Sequence, residues 1–166
     1  MAVKVKINEG VMRLAKRELR RAGKRVSQHR VTIGIHNDEP KVDYDGKDSD
    51  ATLAMVAMWH EFGTGTVPPR SFLRQWYDSN TGRIRSEMSK AMAAEYNGKK
   101  SAVHQLARRW AREVASIIRR GESFAPLETA TVDKKAAHGL PSPKKPLIAT
   151  GQLVSSISAQ VDGDDV

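Results

Sequence analysis

The chain has 166 residues, of which 39% are hydrophobic and 28% charged, enough for one core of ordinary size and too apolar for a wholly disordered chain. Lys and Arg number 28 against 19 Asp and Glu, and the resulting net charge of +9 raises nucleic-acid phosphate as a partner. The lack of cysteine excludes disulfide frameworks and thiol chemistry, and with no run of 18 apolar residues and no secretory pattern no membrane partner is expected.

Val3, Val5 and Ile7 alternate with Ala2, Lys4 and Lys6, the pattern of a short half-buried strand. From Glu9 the period lengthens, and Val11, Ala15, Leu19, Ala22 and Val26 form one apolar stripe on an amphipathic helix. Arg13, Lys16, Arg17, Arg20 and Arg21 fill its other face, where hydration is the simplest role for the charge. Val31, Ile33 and Ile35 restore the alternation of a strand. Residues 37–50 carry six acidic side chains with Pro and Gly and no apolar period, which predicts an exposed acidic loop. That run lacks the ligand spacing and terminal Glu of a calcium loop. Asp50 is the expected N-cap of a strongly apolar helix through Leu53, Met55, Val56, Met58, Trp59 and Phe62, and Gly63 its end.

GTGTVPPRSFL, with two glycines and two prolines, predicts an exposed, shaped loop. Ile84, Met88 and Met92 then mark a helix stopped at Gly98, and Val103, Leu106, Trp110, Val114 and Ile117 another ending at Gly121. Residues 136–147, with Gly139, Pro141, Pro143, Pro146 and two lysines, predict a flexible connector. Leu153, Ser155, Ile157, Ala159 and Val161 alternate as a last strand, and residues 162–166 form an acidic, frayed tail. The resulting expectation is a single α+β domain over residues 1–166, a small mixed or antiparallel sheet packed with about four amphipathic helices and carrying long mobile loops.

Residues suited to catalysis do not fall into a working set. His60 and Glu61 begin a zinc-peptidase pattern, but Thr64 stands where the second histidine is needed, so no metal site is expected. Gly98, Lys99, Lys100 and Ser101 lack the first glycine and preceding strand of a phosphate loop, and GTGT at 63–66 lacks the setting of a dinucleotide fingerprint. No nucleophile elbow surrounds any serine. The sequence therefore predicts no enzyme, no catalytic residues and no cofactor.

Three blocks in fixed order carry a resemblance: IGIHN at 33–37, AMVAMWHEFGTGTVPPRSFLR at 54–74, and FAPLETATVDKK followed by KPLIATGQLVSSISAQV. Together they resemble the virion-morphogenesis or tail-completion family of tailed bacteriophages, and the related head-tail joining proteins. The resemblance implies a non-enzymatic α+β subunit in a ring of copies, commonly sixfold, at the neck or tail top of the virion. It would assemble in the host cytoplasm beside connector or stopper, tail-terminator or tail-tube proteins. The assembly residues it points to are His60, Glu61, Phe62, Gly63, Thr64, Pro68, Pro69, Arg70, Phe72 and Leu73, with Thr150, Gly151 and Leu153. Prolines that stiffen the segment would let Phe72, Leu73 and Trp76 anchor a neighbour while Arg70 offers a forked donor, for an ion pair between elements or between subunits. The competing expectation is that Phe62, Phe72 and Trp76 belong to the subunit's own core. The alternative function is a basic nucleic-acid-binding module, although aromatic residues are only 5% and none interleaves with the basic clusters, so DNA contact is expected to be non-specific or luminal.

Overall fold

A computed structural model describes residues 13–14, 16–20, 29–36, 51–121 and 123–166. The expected strand at Val3 to Ile7, the acidic loop 37–50 with Asp50, and the remainder of the first helix lie outside these residues. Residues 13–14 and 16–20 are helical, as the stripe predicts. The elements that follow are β1 (Val31–Gly34), α1 (Leu53–Phe62), α2 (Phe72–Tyr96), α3 (Ala102–Arg120), α4 (Thr129–Ala137), α5 (Gln152–Ser155), β2 (Ser158–Val161) and β3 (Asp164–Asp165).

Helix α3 is the centre of this arrangement because it is apolar on two neighbouring stripes. Leu106, Trp110, Val114 and Ile118 recur every four residues and pack with Phe72, Trp76, Leu147 and Leu153. Val103, Ala107 and Ala111 form the second stripe and meet Ala159 and Val161 of the sheet. The alanines are small enough to let the sheet approach the helix backbone closely. The sheet is antiparallel with order β1-β2-β3, and the whole is one compact domain of mixed helix and sheet. Val31 lies opposite Val161 and Ile33 opposite Ala159, which places all four on the face turned to α3.

Helices α2 and α3 lie side by side through their tryptophans. Trp76 and Trp110 meet edge to face with ring centroids 5.8 Å apart. Each indole N–H donates to a glutamate on the opposite helix, Trp76 to Glu113 at 3.0 Å and Trp110 to Glu87 at 2.9 Å. Arg83 binds Glu113 and Arg109 binds Glu87 at 2.8 Å. The hydrogen bond from Arg83 is the largest influence holding the Glu113 carboxyl below its usual range.

Several boundaries differ from expectation for local reasons. The first cap of α1 is Thr52, whose hydroxyl accepts from the Met55 amide at 3.2 Å. Helix α2 begins at Phe72, well before the Ile84 period, because its N-terminus is capped from another element. The expected last strand is two elements: Gln152–Ser155 is helical, and only Ser158–Val161 pairs with β1. The tail 162–166 is a hairpin and not a frayed end. Asp162 and Gly163 both take positive φ, 58° and 98°, the backbone of a two-residue primed turn, and β3 pairs back on β2. The Asp162 carboxylate also accepts from the Arg30 amide at 2.7 Å, tying this turn to the start of β1.

Residues 136–147, expected as a flexible connector, instead complete α4 and wrap around Lys135. The Lys135 side chain is 4% exposed, and its ammonium donates to the carbonyls of Ser142 at 3.1 Å, Lys145 at 2.8 Å and Ile148 at 2.6 Å. A proline-rich loop has few amide donors of its own, so one buried cation gathers its carbonyls. Burial pulls the Lys135 ammonium below the usual lysine value. Lys135→Ala is expected to cost about 2–4 kcal/mol in denaturant titration, because three buried carbonyls lose a charged donor. Amide exchange should rise across 140–149 and stay unchanged in the α2–α3 pair.

Candidate assembly site

The expected assembly segment is built around a buried carboxylate. Glu61, in the last turn of α1, is 7% exposed and accepts from the Leu73 amide at 3.0 Å and the Arg74 amide at 2.9 Å. Those are free donors of the first turn of α2, so Glu61 supplies the cap that Ser71 does not make with its own side chain. The Ser71 hydroxyl instead donates to the Glu61 carbonyl at 2.6 Å, and the Arg70 amide donates to the His60 carbonyl, also at 2.6 Å. The end of α1 and the start of α2 are thereby joined at a fixed corner.

Between them the chain makes a tight excursion. Gly63 takes φ 77°, and a Cβ there would stand 3.1 Å from the Pro69 ring and the Val67 carbonyl, so only glycine fits the return. The Thr64 amide donates to the Val67 carbonyl at 2.9 Å, and the Thr64 hydroxyl accepts from the Val67 amide at 3.0 Å. Thr64, Gly65, Thr66, Pro68 and Pro69 form the exposed tip, as expected of the segment.

Arg70 and Phe72 correct the expectation that they anchor a neighbour. Arg70 is 4% exposed, and its guanidinium donates through Nε to the Ala125 carbonyl at 2.9 Å and through Nη2 to the Pro126 carbonyl at 3.0 Å. Its fork is used inside the subunit, pinning the loop between α3 and α4. Phe72 is fully buried and Trp76 nearly so, both in the main core, and Leu73 packs against it. The first turn of a long helix lies over the core, so its aromatic side chains fill that core. Leu153, also expected at the interface, is buried in the same cluster.

Phe62 lies on the other side of α1 and is 67% exposed, with the Arg74 guanidinium 5.4 Å from its ring centroid. Met55, Met58 and Trp59 share that side and are also exposed. The spacing 55, 58, 59, 62 is one helical stripe. Sequence reading assigned this apolar helix no outward face, although the signal was present: α1 has apolar residues all round, and a short helix cannot bury every side against one core.

His60 and Leu153 bring two of the distant motifs together. Both line a groove of about 490 Å³ shared with Val56, Leu127, Ala130 and Leu147. His60 Nδ1 is buried without a hydrogen-bond partner, and burial together with nearby Arg70 lowers the imidazole from 6.5 to about 4. Thr150 is exposed and its hydroxyl accepts from the Gln152 amide at 3.4 Å, next to Gly151 at the start of α5. Among the described residues no group of three His, Asp or Glu is placed to hold a metal ion. Comparison of the chain with family models, curated proteins and solved structures returned no match.

Glu61→Ala removes the acceptor for two amides of α2 and is expected to destabilise the fold by about 1–3 kcal/mol, and Phe72→Ala by about 3–5 kcal/mol, in denaturant titration. His60 supplies a separate pH dependence. Its folded value near 4 lies below the unfolded value of 6.5, so as pH falls the unfolded chain takes the proton first. Stability is then full above pH 6.5 and is lost as pH falls toward 4. His60→Leu should flatten the melting temperature between pH 6.5 and 4.5, a window above most carboxylate titration.

Proposed function

We propose that the chain is a structural virion subunit of a tailed phage or prophage, a tail-completion or neck protein that forms a ring of copies at the head-tail junction and is needed to join tails to heads. The observation that carries this reading is the corner at Glu61. Residues of the HEFGT and PPRSF segments, part of the second of the three blocks that together carry the resemblance, form an intramolecular lock, and the lock holds an apolar helix face and a proline-fixed tip out to solvent. A part evolved for docking needs a rigid mount, since ordering it in advance lowers the entropy lost on association. The reading assigns no catalysis and no cofactor. Its partners are further copies, together with connector, stopper, tail-terminator or tail-tube proteins.

A second reading has one observation in its favour. Lys90, Arg108, Arg109 and Arg112 line an open groove of about 730 Å³ along α2 and α3, a surface able to meet DNA phosphates. Glu87 lines the same groove and is bonded to Arg109, which reduces the charge on offer. This basic surface suits non-specific contact with DNA passing through a ring better than sequence readout.

A host producing the phage without this chain should accumulate separate filled heads and tails under the microscope, and supplying the chain should restore infectious particles. Light scattering should give the purified chain, alone or with its tail-tube partner, the mass of a closed multimer. Normal particles in the absence of the chain would overturn the reading. DNA retention in mobility assays should fall steeply as salt approaches physiological strength and show no sequence preference. Sequence-selective binding at that salt would favour the nucleic-acid module instead.

A further inference from the structure

Two buried cations near His60 are bonded to carbonyls and to no anion. Arg70 and Lys135 are each 4% exposed. Among the described residues their acceptors are all carbonyls, those of Ala125 and Pro126 for Arg70 and those of Ser142, Lys145 and Ile148 for Lys135. Carbonyl dipoles replace the water a buried cation has lost, but they do not cancel its charge. Burial lowers both cations from their usual values, and no carboxylate acts in the other direction on either. The charge of Arg70 also reaches His60, where it adds to burial in lowering the imidazole to about 4.

Lys135 and His60 both line the groove of about 490 Å³ between α1, α4 and the segment 147–153. None of the described Asp and Glu residues lines it. Glu61, the neighbour of His60 in the chain, spends its carboxylate on two amides of α2, and Glu128 and Asp133 are exposed outside the groove. The first turn of α4 adds charge of the same sign, because Ala130 and Thr131 lie on the groove and Glu128 makes no side-chain cap there. Most of the remaining wall is apolar, with Val56, Leu127, Leu147 and Leu153 on it. A wall that is apolar along its length and positive in potential suits a ligand with a hydrocarbon body and an anionic end.

His60 supplies the point of contact. Its Nδ1 is buried without a partner, which leaves Nε2 as the ring nitrogen a ligand can meet. Protonated there, the neutral ring donates one hydrogen bond, and a carboxylate is an acceptor only. A hydrocarbon chain needs no partners along the apolar wall, whereas a peptide brings an amide every few atoms that such a wall leaves unbonded.

We propose that this groove binds a free aliphatic monocarboxylate, its chain lying on Val56, Leu127, Ala130, Leu147 and Leu153 and its carboxylate held at His60 in the field of Arg70 and Lys135. This ligand site does not depend on the ring reading above.

The test is calorimetric titration of the full-length chain at pH 7 with octanoate and with octan-1-ol, which share a chain length and differ in charge. Octanoate should bind about tenfold more tightly, the effect of one hydrogen bond to a charged group. His60→Leu should remove that preference and leave the affinity for octan-1-ol unchanged. Ala130→Trp, at an exposed position on the groove wall, should abolish binding of both at the melting temperature of the parent, which locates the site. Octan-1-ol binding as tightly as octanoate, no binding of either, or octanoate binding that survives Ala130→Trp would overturn the proposal. A carboxylate-ended dipeptide, acetyl-Leu-Leu, serves as the third probe. Tighter binding of that dipeptide than of octanoate would assign the groove to the end of a partner chain and overturn the proposal as well.

Discussion

Burial of α3 on two adjacent stripes is the constraint from which the other positions follow. One stripe is made of large side chains and takes α2, α5 and the Leu147 turn; the other is made of Val103 and two alanines and takes the sheet. A helix covered on two sides has little freedom to slide or rotate, because close packing resists a shift of even one methylene. The tryptophan pair adds direction to this packing. Each indole N–H needs an acceptor once buried, and Glu87 and Glu113 provide it from the opposite helix, which sets the register of α2 on α3. The arginines that hold those glutamates are half exposed, so their ion pairs contribute less through their own energy than by orienting the carboxylates.

Carboxylates also solve the problem of starting the two long helices. Neither Ser71 nor Ser101 caps its helix with its own side chain. Glu61 from α1 serves α2, and Glu95 from the end of α2 accepts from the Val103 amide of α3 at 2.9 Å. Each helix is thus begun by the one before it, and the order of the chain becomes a series of fixed corners. For α1 the consequence is a fixed orientation. Its inner side is committed to the lock and the groove beside His60, and its outer side is exposed.

The periodic parts of this structure were legible in the sequence. The VTIG strand, the apolar α1, the α3 stripe and its Gly121 end all appear where their spacing puts them, because a regular period reports which face of an element is buried. Parts held by a single buried side chain were not. Nothing local to residues 136–147 announces that Lys135 will collect three carbonyls, and Pro, Gly and Lys in that run read equally well as a flexible link. Asp162-Gly163 was a readable exception, a hairpin dipeptide taken for part of a frayed end. In the candidate site Arg70 and Phe72, expected to anchor a neighbour, face the core, and Met55, Met58 and Trp59, for which no outward face was expected, face water.

By itself the sequence determined the mixed helix and strand composition, the lack of thiol chemistry, the basic charge, and the placement of two glycines and two prolines at one tight turn. These depend on residue identity and near-neighbour spacing, which the chain carries wherever it folds. Only the tertiary structure decided which side of an all-apolar helix is buried, since α1 satisfies the helical period on every face and the choice falls to whatever packs beside it. It likewise decided that Glu61 is a cap and Arg70 a clamp, because a charged side chain is taken out of water only where donors or acceptors from other segments converge on it. That convergence is a property of distant backbone brought together, and no window of the sequence contains it.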